Sequence, residues 1–295
     1  MKLVAEVSSN HGTDLARALA FVDAAADLGF EAVKFQQFKV RELFAAEALR
    51  AHPELLQRER WELPEAMNAP LSERARARGL RYTSTPFYRA AVDALFPFVD
   101  AYKVASYQIL WLDLLRAVAR TGKPLVVATG LATLDEVRAA LDALGEAGAQ
   151  DVTLLHCVSA YPTPPEEANL SAISTLRRVF NRPVGWSDHT VRPDVAARAV
   201  RRFGACMVEL HLDLDGQGDE YQSGHCWLPH EVRELRARLR STEPEPVRAV
   251  CDGDGRKLPR PSEADEVLWR SDPQDGLRPV RAHRARLGAP GGAGA

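Results

Sequence analysis

The 295-residue chain reads as an α/β protein, a (β/α)8 TIM barrel followed by a short irregular C-terminal extension. Three observations predict it. Eight short, apolar, β-branched runs recur along residues 3–210; amphipathic stretches too long for hairpins separate them; and polar residues follow nearly every run. Crossovers of that length imply parallel strands, and eight parallel strands close into a barrel. An open doubly wound sheet is the alternative, but it gathers its site at one switch point, whereas here the polar residues follow nearly all eight runs.

The strand candidates, in order, are residues 3–7, 32–36, 81–84, 101–105, 125–129, 152–156, 184–187 and 206–210. Apolar residues at i, i+3, i+4 and i+7 predict helices over residues 14–28, 133–147 and 192–203, with Thr133 as an N-cap before Asp135 and Glu136. Residues 39–68, with Trp61 and Pro64, are too long for a simple connection and read as an excursion over the barrel mouth. After Arg240 the composition shifts to recurrent proline and then Gly-Ala. The expected division is therefore a catalytic barrel over 1–240 and a Pro/Gly-rich, partly ordered extension over 241–295, its last ten or so residues disordered.

Bulk composition excludes several functions. Thirty-eight Lys and Arg against 40 Asp and Glu leave a formal charge of -2, so no basic field gathers nucleic acid or anionic lipid. The expected partner is a small molecule. Four scattered cysteines without a C-x-x-C pair and no signal-like start suggest a reduced, cytoplasmic protein. No apolar run reaches the ~18 to 20 residues of a membrane-spanning helix.

In a barrel enzyme chemistry belongs at the C-terminal ends of the strands. Here those ends carry Glu6 and Ser8-Ser9-Asn10-His11, Lys34 and Gln36, Thr83-Ser84-Thr85, Lys103 and Ser106-Tyr107-Gln108, Thr129-Gly130, His156 through Tyr161, Ser187-Asp188-His189-Thr190, and Glu209 with His211. His189 and His211 end adjacent strands and can converge on one divalent ion, with Glu6 or water completing the shell and Asp188 as an outer partner; a hydrogen-bonded pair of core histidines is the alternative. Lys34 and Lys103 lie in apolar strands where an unpaired ammonium is costly. Either they bind a phosphate and a carboxylate, helped by Thr85, Ser106 and Ser187, or each pairs with a structural carboxylate such as Glu6 or Glu209. Phosphoenolpyruvate carries both anionic groups. A Schiff-base lysine is a further reading. Cys157, with apolar flanks, is expected to pack rather than react, and the isolated Gly130 and Gly185 are too weak a signal for a phosphate loop.

Glu6-Val7-Ser8-Ser9-Asn10-His11, Val33-Lys34-Phe35-Gln36, Ser84-Thr85-Pro86-Phe87, Tyr102-Lys103-Val104-Ala105-Ser106, Leu155-His156-Cys157, Tyr161-Pro162-Thr163-Pro164 and Ser187-Asp188-His189-Thr190 together resemble the N-acetylneuraminate (sialic acid) synthase family, from Leu3 to about Arg240. The resemblance implies a condensation in which C3 of phosphoenolpyruvate attacks the open-chain aldehyde of a sugar, water adds at C2, and phosphate leaves with C–O cleavage. It implies that His189 and His211 hold a metal, Mn2+ first and Mg2+ or Co2+ as alternatives. It gives Glu6 an acid/base role alongside these histidines, and assigns phosphoenolpyruvate to Lys34, Thr85, Lys103, Ser106, Ser159 and Ser187. It places the aldehyde sugar beside Gln36, Tyr107, Gln108 and Tyr161, and it implies a homodimer.

The sequence also departs from that family. Tyr107-Gln108 stand where it usually has Gly-Glu, and the segment after His211 is replaced by Asp215-Gly216-Gln217-Gly218-Asp219-Glu220 and then Gly224-His225-Cys226-Trp227. Both changes fall on the sugar side and suggest an unusual acceptor. Residues 241–295 do not match the family's antifreeze-like domain, which covers the partner subunit's site; Trp269-Arg270-Ser271-Asp272 is expected to cover the mouth instead. The competing functions are a lysine Schiff-base aldolase on the same barrel and a non-catalytic sugar-phosphate-binding homologue. A metal-dependent hydrolase would usually show His-x-His after the first strand, and none is present.

Overall fold

The computed structural model describes residues 2–243 and 246–287. Eight parallel strands, β1 (Lys2–Glu6), β2 (Ala32–Gln37), β3 (Arg81–Pro86), β4 (Ala101–Val104), β5 (Leu125–Ala128), β6 (Val152–His156), β7 (Val184–Asp188) and β8 (Met207–His211), close in sequence order, so the barrel prevails over the open sheet. The boundaries expected from the sequence shift by no more than two residues. The largest change is in β3, where pairing with β2 continues through Gln36–Thr85 to Gln37–Pro86.

The helices form where local chemistry favours them. Helix Leu15–Asp27 starts at Asp14, whose carboxylate accepts from the amides of Ala16 at 2.7 Å and Arg17 at 3.3 Å. Helix Leu134–Glu146 starts with a capping box in which Thr133 and Glu136 bond each other's backbone N–H. Pro193 opens helix Pro193–Arg201, at a position where its missing N–H costs nothing.

Inside the barrel, Val4, Ala32, Ala128, Leu155, Cys157 and Met207 form an apolar floor. Gly185 is required there, because a Cβ would lie 2.6 Å from both Leu155 Cδ2 and the Met207 carbonyl. Two residues further along three of these strands, the inward positions become Glu6, Lys34 and Glu209. Register then sets what meets: Glu6 lies opposite Lys34 on one side and His211 on the other, and Ser187 lies opposite Glu209.

Residues 39–68 do cover the mouth. They fold into short helices and a turn whose Leu43 and Phe44, with Phe38 just before them, pack with Phe87 and with Trp269 of the extension. The extension itself climbs the outside of the barrel through fixed contacts. Asp252 pairs with buried Arg198 at 2.6 Å, Lys257 Nζ donates to the Ala132 carbonyl at 2.9 Å, and Arg270 pairs with Glu136 at 2.8 Å. Its backbone then joins the mouth, with a bridge between Phe44 and Arg278. The expectation of disorder at the end of the chain falls mainly on residues 288–295, which lie outside the described residues.

Candidate active site

A cavity of about 500 Å3 opens at the C-terminal ends of the strands, bounded by the barrel interior, residues 38–61 and the extension. At its base four buried charges alternate. Lys34 contacts Glu6 and lies 3.3 Å from Glu209, which also accepts from Lys103 at 2.7 Å and from Ser187 at 3.3 Å. Glu6 accepts in addition from the Ser8 amide at 2.8 Å and from Gln36 at 3.1 Å. Burial penalises each charge, and the pairing answers it unevenly. The carboxylates Glu209 and Glu6 raise Lys34 above its ordinary value in spite of burial, whereas burial and the nearby Lys34 charge leave Lys103 lowered. Glu209 is held well below the usual carboxylate range in spite of its burial, chiefly by Lys103 and Lys34. The structural alternative for the lysines holds, since each has a carboxylate partner, and each also faces the cavity.

Beside this layer lies a set of hydroxyl donors. Gly130 N donates to Ser106 Oγ at 3.1 Å and to Cys157 Sγ at 3.2 Å. A Cβ at Gly130 would collide with Ser159 Oγ and sit 2.8 Å from Ser106 Oγ, which is why the chain has no side chain there. The hydroxyls of Ser159 and Thr85 are buried and have no hydrogen-bond partner among the described residues, the state expected of groups awaiting an acceptor. Cys157 packs on the floor, and burial pushes its thiol up, away from the thiolate a nucleophile needs.

The opposite wall is a histidine cluster. The rings of His189 and His211 lie 5.4 Å apart, and His225 lies 4.6 Å from His211. His189 Nδ1 is 2.7 Å from the Val158 carbonyl and must therefore donate, leaving Nε2 for the cavity. Asp188 is not its partner: that carboxylate is taken up by Trp186, Trp227, Thr190 and the Val191 amide. Glu220 reaches into the cluster, one oxygen 3.3 Å from His211 Nδ1 and 3.6 Å from His225 Nε2, the other accepting from Ser8 Oγ at 2.6 Å. Potential ligand atoms of His211, Glu220, His225 and Cys226 lie within 4.8 Å of one another. Burial lowers His189, and burial with the nearby His211 charge lowers His225, so both are neutral and able to ligate at pH 7. The group of His211, Glu220, His225 and Cys226 does not include His189, and burial pushes the Cys226 thiol up to about 12, away from thiolate; its two imidazoles and one carboxylate fit a divalent first-row ion.

Sequence reasoning missed Glu220 and His225. The loop after β8 doubles back, with Trp227 N donating to the His211 carbonyl at 2.7 Å, and so returns His225 to the strand end it left. Two histidines flanking an acidic, glycine-rich loop were the available signal. On the expected sugar side, Gln36, Tyr107 and Tyr161 line the cavity, but Gln108 does not. The turn Ser106–Gln108 carries it inward, where it is fully buried, donating to the Pro86 carbonyl at 2.9 Å and accepting from the Ala105 amide at 3.2 Å. Gln108 therefore braces the β3 and β4 ends instead of facing a sugar.

The profile of the NeuB family matches residues 21–246. The N,N'-diacetyllegionaminic acid synthase of Campylobacter jejuni is 32% identical over 278 residues, covering 90% of this chain and 81% of its own. Among solved structures, the spore coat polysaccharide biosynthesis protein SpsE of Bacillus subtilis superposes with a TM-score of 0.78 at 30% identity, covering 91% of this chain and 77% of its own. The N-acetylneuraminic acid (sialic acid) synthetase of Leptospira borgpetersenii, solved with citrate, gives 0.73 at 30% identity, covering 90% and 89%.

Proposed function

Since the chain belongs to the NeuB family, we propose that it is a synthase condensing phosphoenolpyruvate with an aldehyde sugar, giving a 3-deoxy-2-keto acid and phosphate. The observation that carries this reading is the cavity base, where Lys34 and Lys103 line the cavity together with Ser106 and Ser187; the buried, unpartnered hydroxyls of Thr85 and Ser159 lie outside that lining. Two lysines facing the cavity, with the hydroxyls of Ser106 and Ser187 beside them in its wall, suit a ligand bearing both a phosphate and a carboxylate.

In this scheme Lys34, Lys103, Ser106, Ser187, Thr85 and Ser159 hold phosphoenolpyruvate. Gln36, Tyr107 and Tyr161 border the sugar. The C3–C1 bond forms as the aldehyde oxygen takes a proton; water then gives up a proton on adding at C2, and the C–O bond to phosphate breaks. Glu6, which contacts Lys34 and accepts from the Ser8 amide at the buried end of the first strand, is the acid/base of this scheme. His189 and His211, joined by Glu220 and His225, would hold the divalent ion, with Mn2+ favoured. When bound it supplies Lewis acidity at the aldehyde oxygen. A cytoplasmic homodimer is part of the proposal, to be tested by fractionation and sedimentation; among the described residues no helix is long and apolar enough to cross a membrane.

The test is phosphate release from phosphoenolpyruvate against a panel of aldehydes, with Mn2+ and after chelation. Release should require both an aldehyde and the metal. His211→Ala should abolish it and weaken Mn2+ binding measured by calorimetry, and His225→Ala should weaken that binding by about 10- to 100-fold, on the scale of disturbing a metal shell. Borohydride trapping of pyruvate on a lysine, without phosphate release, would instead establish the aldolase.

A further inference from the structure

The reaction scheme leaves one buried cation at the cavity mouth without a role. Arg278 is 7% exposed, lines the cavity, and presents Nε and Nη2 with no hydrogen-bond partner among the described residues. Nor does any described carboxylate lie within ion-pair distance of it. Glu266, on the same wall, accepts from the Tyr107 hydroxyl at 2.7 Å. A guanidinium is costly to bury, and one left with unpaired N–H groups inside a cavity wall is explained by a ligand that pairs with it.

Its placement is built, not incidental. The Arg278 amide donates to the Leu43 carbonyl at 2.8 Å and its carbonyl accepts from Ala45 at 2.8 Å, fixing the backbone to the mouth. The guanidinium lies over the Tyr107 ring at 4.1 Å and the Phe87 ring at 5.5 Å, which fixes its plane. Tyr107 is the bulky residue standing where the resembled family has glycine, and the Ser271 amide of the extension donates to its carbonyl at 2.8 Å. Exposed Arg58 adds a second positive charge to the lining, while the carboxylates are engaged elsewhere: Asp219 accepts from Trp61 Nε1 at 2.7 Å and Glu220 from Ser8 Oγ at 2.6 Å. Burial, with the Arg58 charge, brings Arg278 down to about 10, still a cation at neutral pH.

We propose that Arg278 recognises an anionic substituent on the acceptor, so that the aldehyde used is a charged sugar, a phosphate ester or a sugar acid. This rests on the synthase reading above. The charge of phosphoenolpyruvate is met at the cavity base by Lys34 and Lys103, whereas Arg278 stands on the outer wall, where the far end of an acceptor would lie. A planar fork held against a ring suits bidentate binding of phosphate or carboxylate.

The experiment compares N-acetylmannosamine with N-acetylmannosamine 6-phosphate, and simple aldoses with their terminal phosphates and with the corresponding uronic acids, in the Mn2+-loaded enzyme. A charged acceptor should exceed its neutral counterpart at least tenfold in kcat/KM, and the phosphate and carboxylate arms identify which anion is read. Arg278→Gln should raise KM for that acceptor about 10- to 100-fold, the scale of losing hydrogen bonds to a charged group, while leaving KM for phosphoenolpyruvate within about twofold; Arg278→Lys should fall between. Equal use of charged and neutral acceptors overturns the inference on the unmodified enzyme, whatever the variants do. A change confined to KM for phosphoenolpyruvate overturns it as well. Absence of phosphate release with every aldehyde refutes the synthase reading itself, a result distinct from either.

Discussion

Single residues at the barrel mouth are constrained by what they touch. Gly130 has its Cα against Ser106, Ser159 and Cys157, so Gly130→Ala must displace the two serine hydroxyls proposed to hold phosphoenolpyruvate. The expected outcome is a KM for phosphoenolpyruvate raised at least tenfold, with a stability loss of only about 1–3 kcal/mol, as for other overpacked sites, read from steady-state kinetics and urea melts. His156 gives a prediction about pH. It is buried against Trp186, its Nε2 donates to the Ala168 carbonyl at 3.0 Å, and burial, reinforced by the Lys257 charge, lowers its pKa to about 3. Because the folded value lies below the unfolded one near 6.5, the unfolded chain binds the extra proton between them. This stability is therefore complete above pH 6.5 and is lost as pH falls toward 3. By pH 4.5 the loss is about 2–3 kcal/mol, and urea unfolding of His156→Gln at pH 7.5 and 4.5 should show a pH difference smaller than wild type by that amount.

At the scale of elements, the turn Pro261–Glu263 connects the extension to the working end of the barrel. Buried Glu263 accepts from the amides of Leu131 at 2.9 Å, Ser159 at 2.7 Å and Arg260 at 2.8 Å. Glu263→Ala leaves these donors stranded, at about 1–3 kcal/mol for each one that stays buried, and frees Ser159. Its KM for phosphoenolpyruvate should rise while Glu263→Gln, which keeps a carbonyl acceptor, retains part of the affinity. The sequence marks Gly253 to Glu263 only as a linker-like stretch, because the role of Glu263 is a long-range contact across 104 residues. The strands, by contrast, were legible within two residues, since period and β-branching are local properties. The same distinction separates His189 and His211, readable from strand ends, from Glu220 and His225, whose loop returns only in the fold. Gln108 failed for a related reason: one short turn rotated its side chain from the cavity into the β3 end.

For the molecule as a whole, the division at residue 240 marks a change of composition, and we propose that it does not mark a boundary of stability. Arg198 is buried against Asp252, and Trp269 packs over the aromatic cluster of Phe38, Phe44 and Phe87. Barrel and extension should therefore unfold in one calorimetric transition. A chain ending at residue 240 should melt at lower temperature and lose turnover, and two resolved transitions in the full chain would contradict the proposal. The proposed site also draws on residues far apart in the chain, from Glu6 in the first strand to Arg278 just before the helix Arg281–Leu287. The groups are made in that order, the residue proposed for proton transfer first and the residue proposed to read the acceptor last. A chain cut short of residue 278 would therefore lack the proposed acceptor-reading wall even with every barrel strand in place.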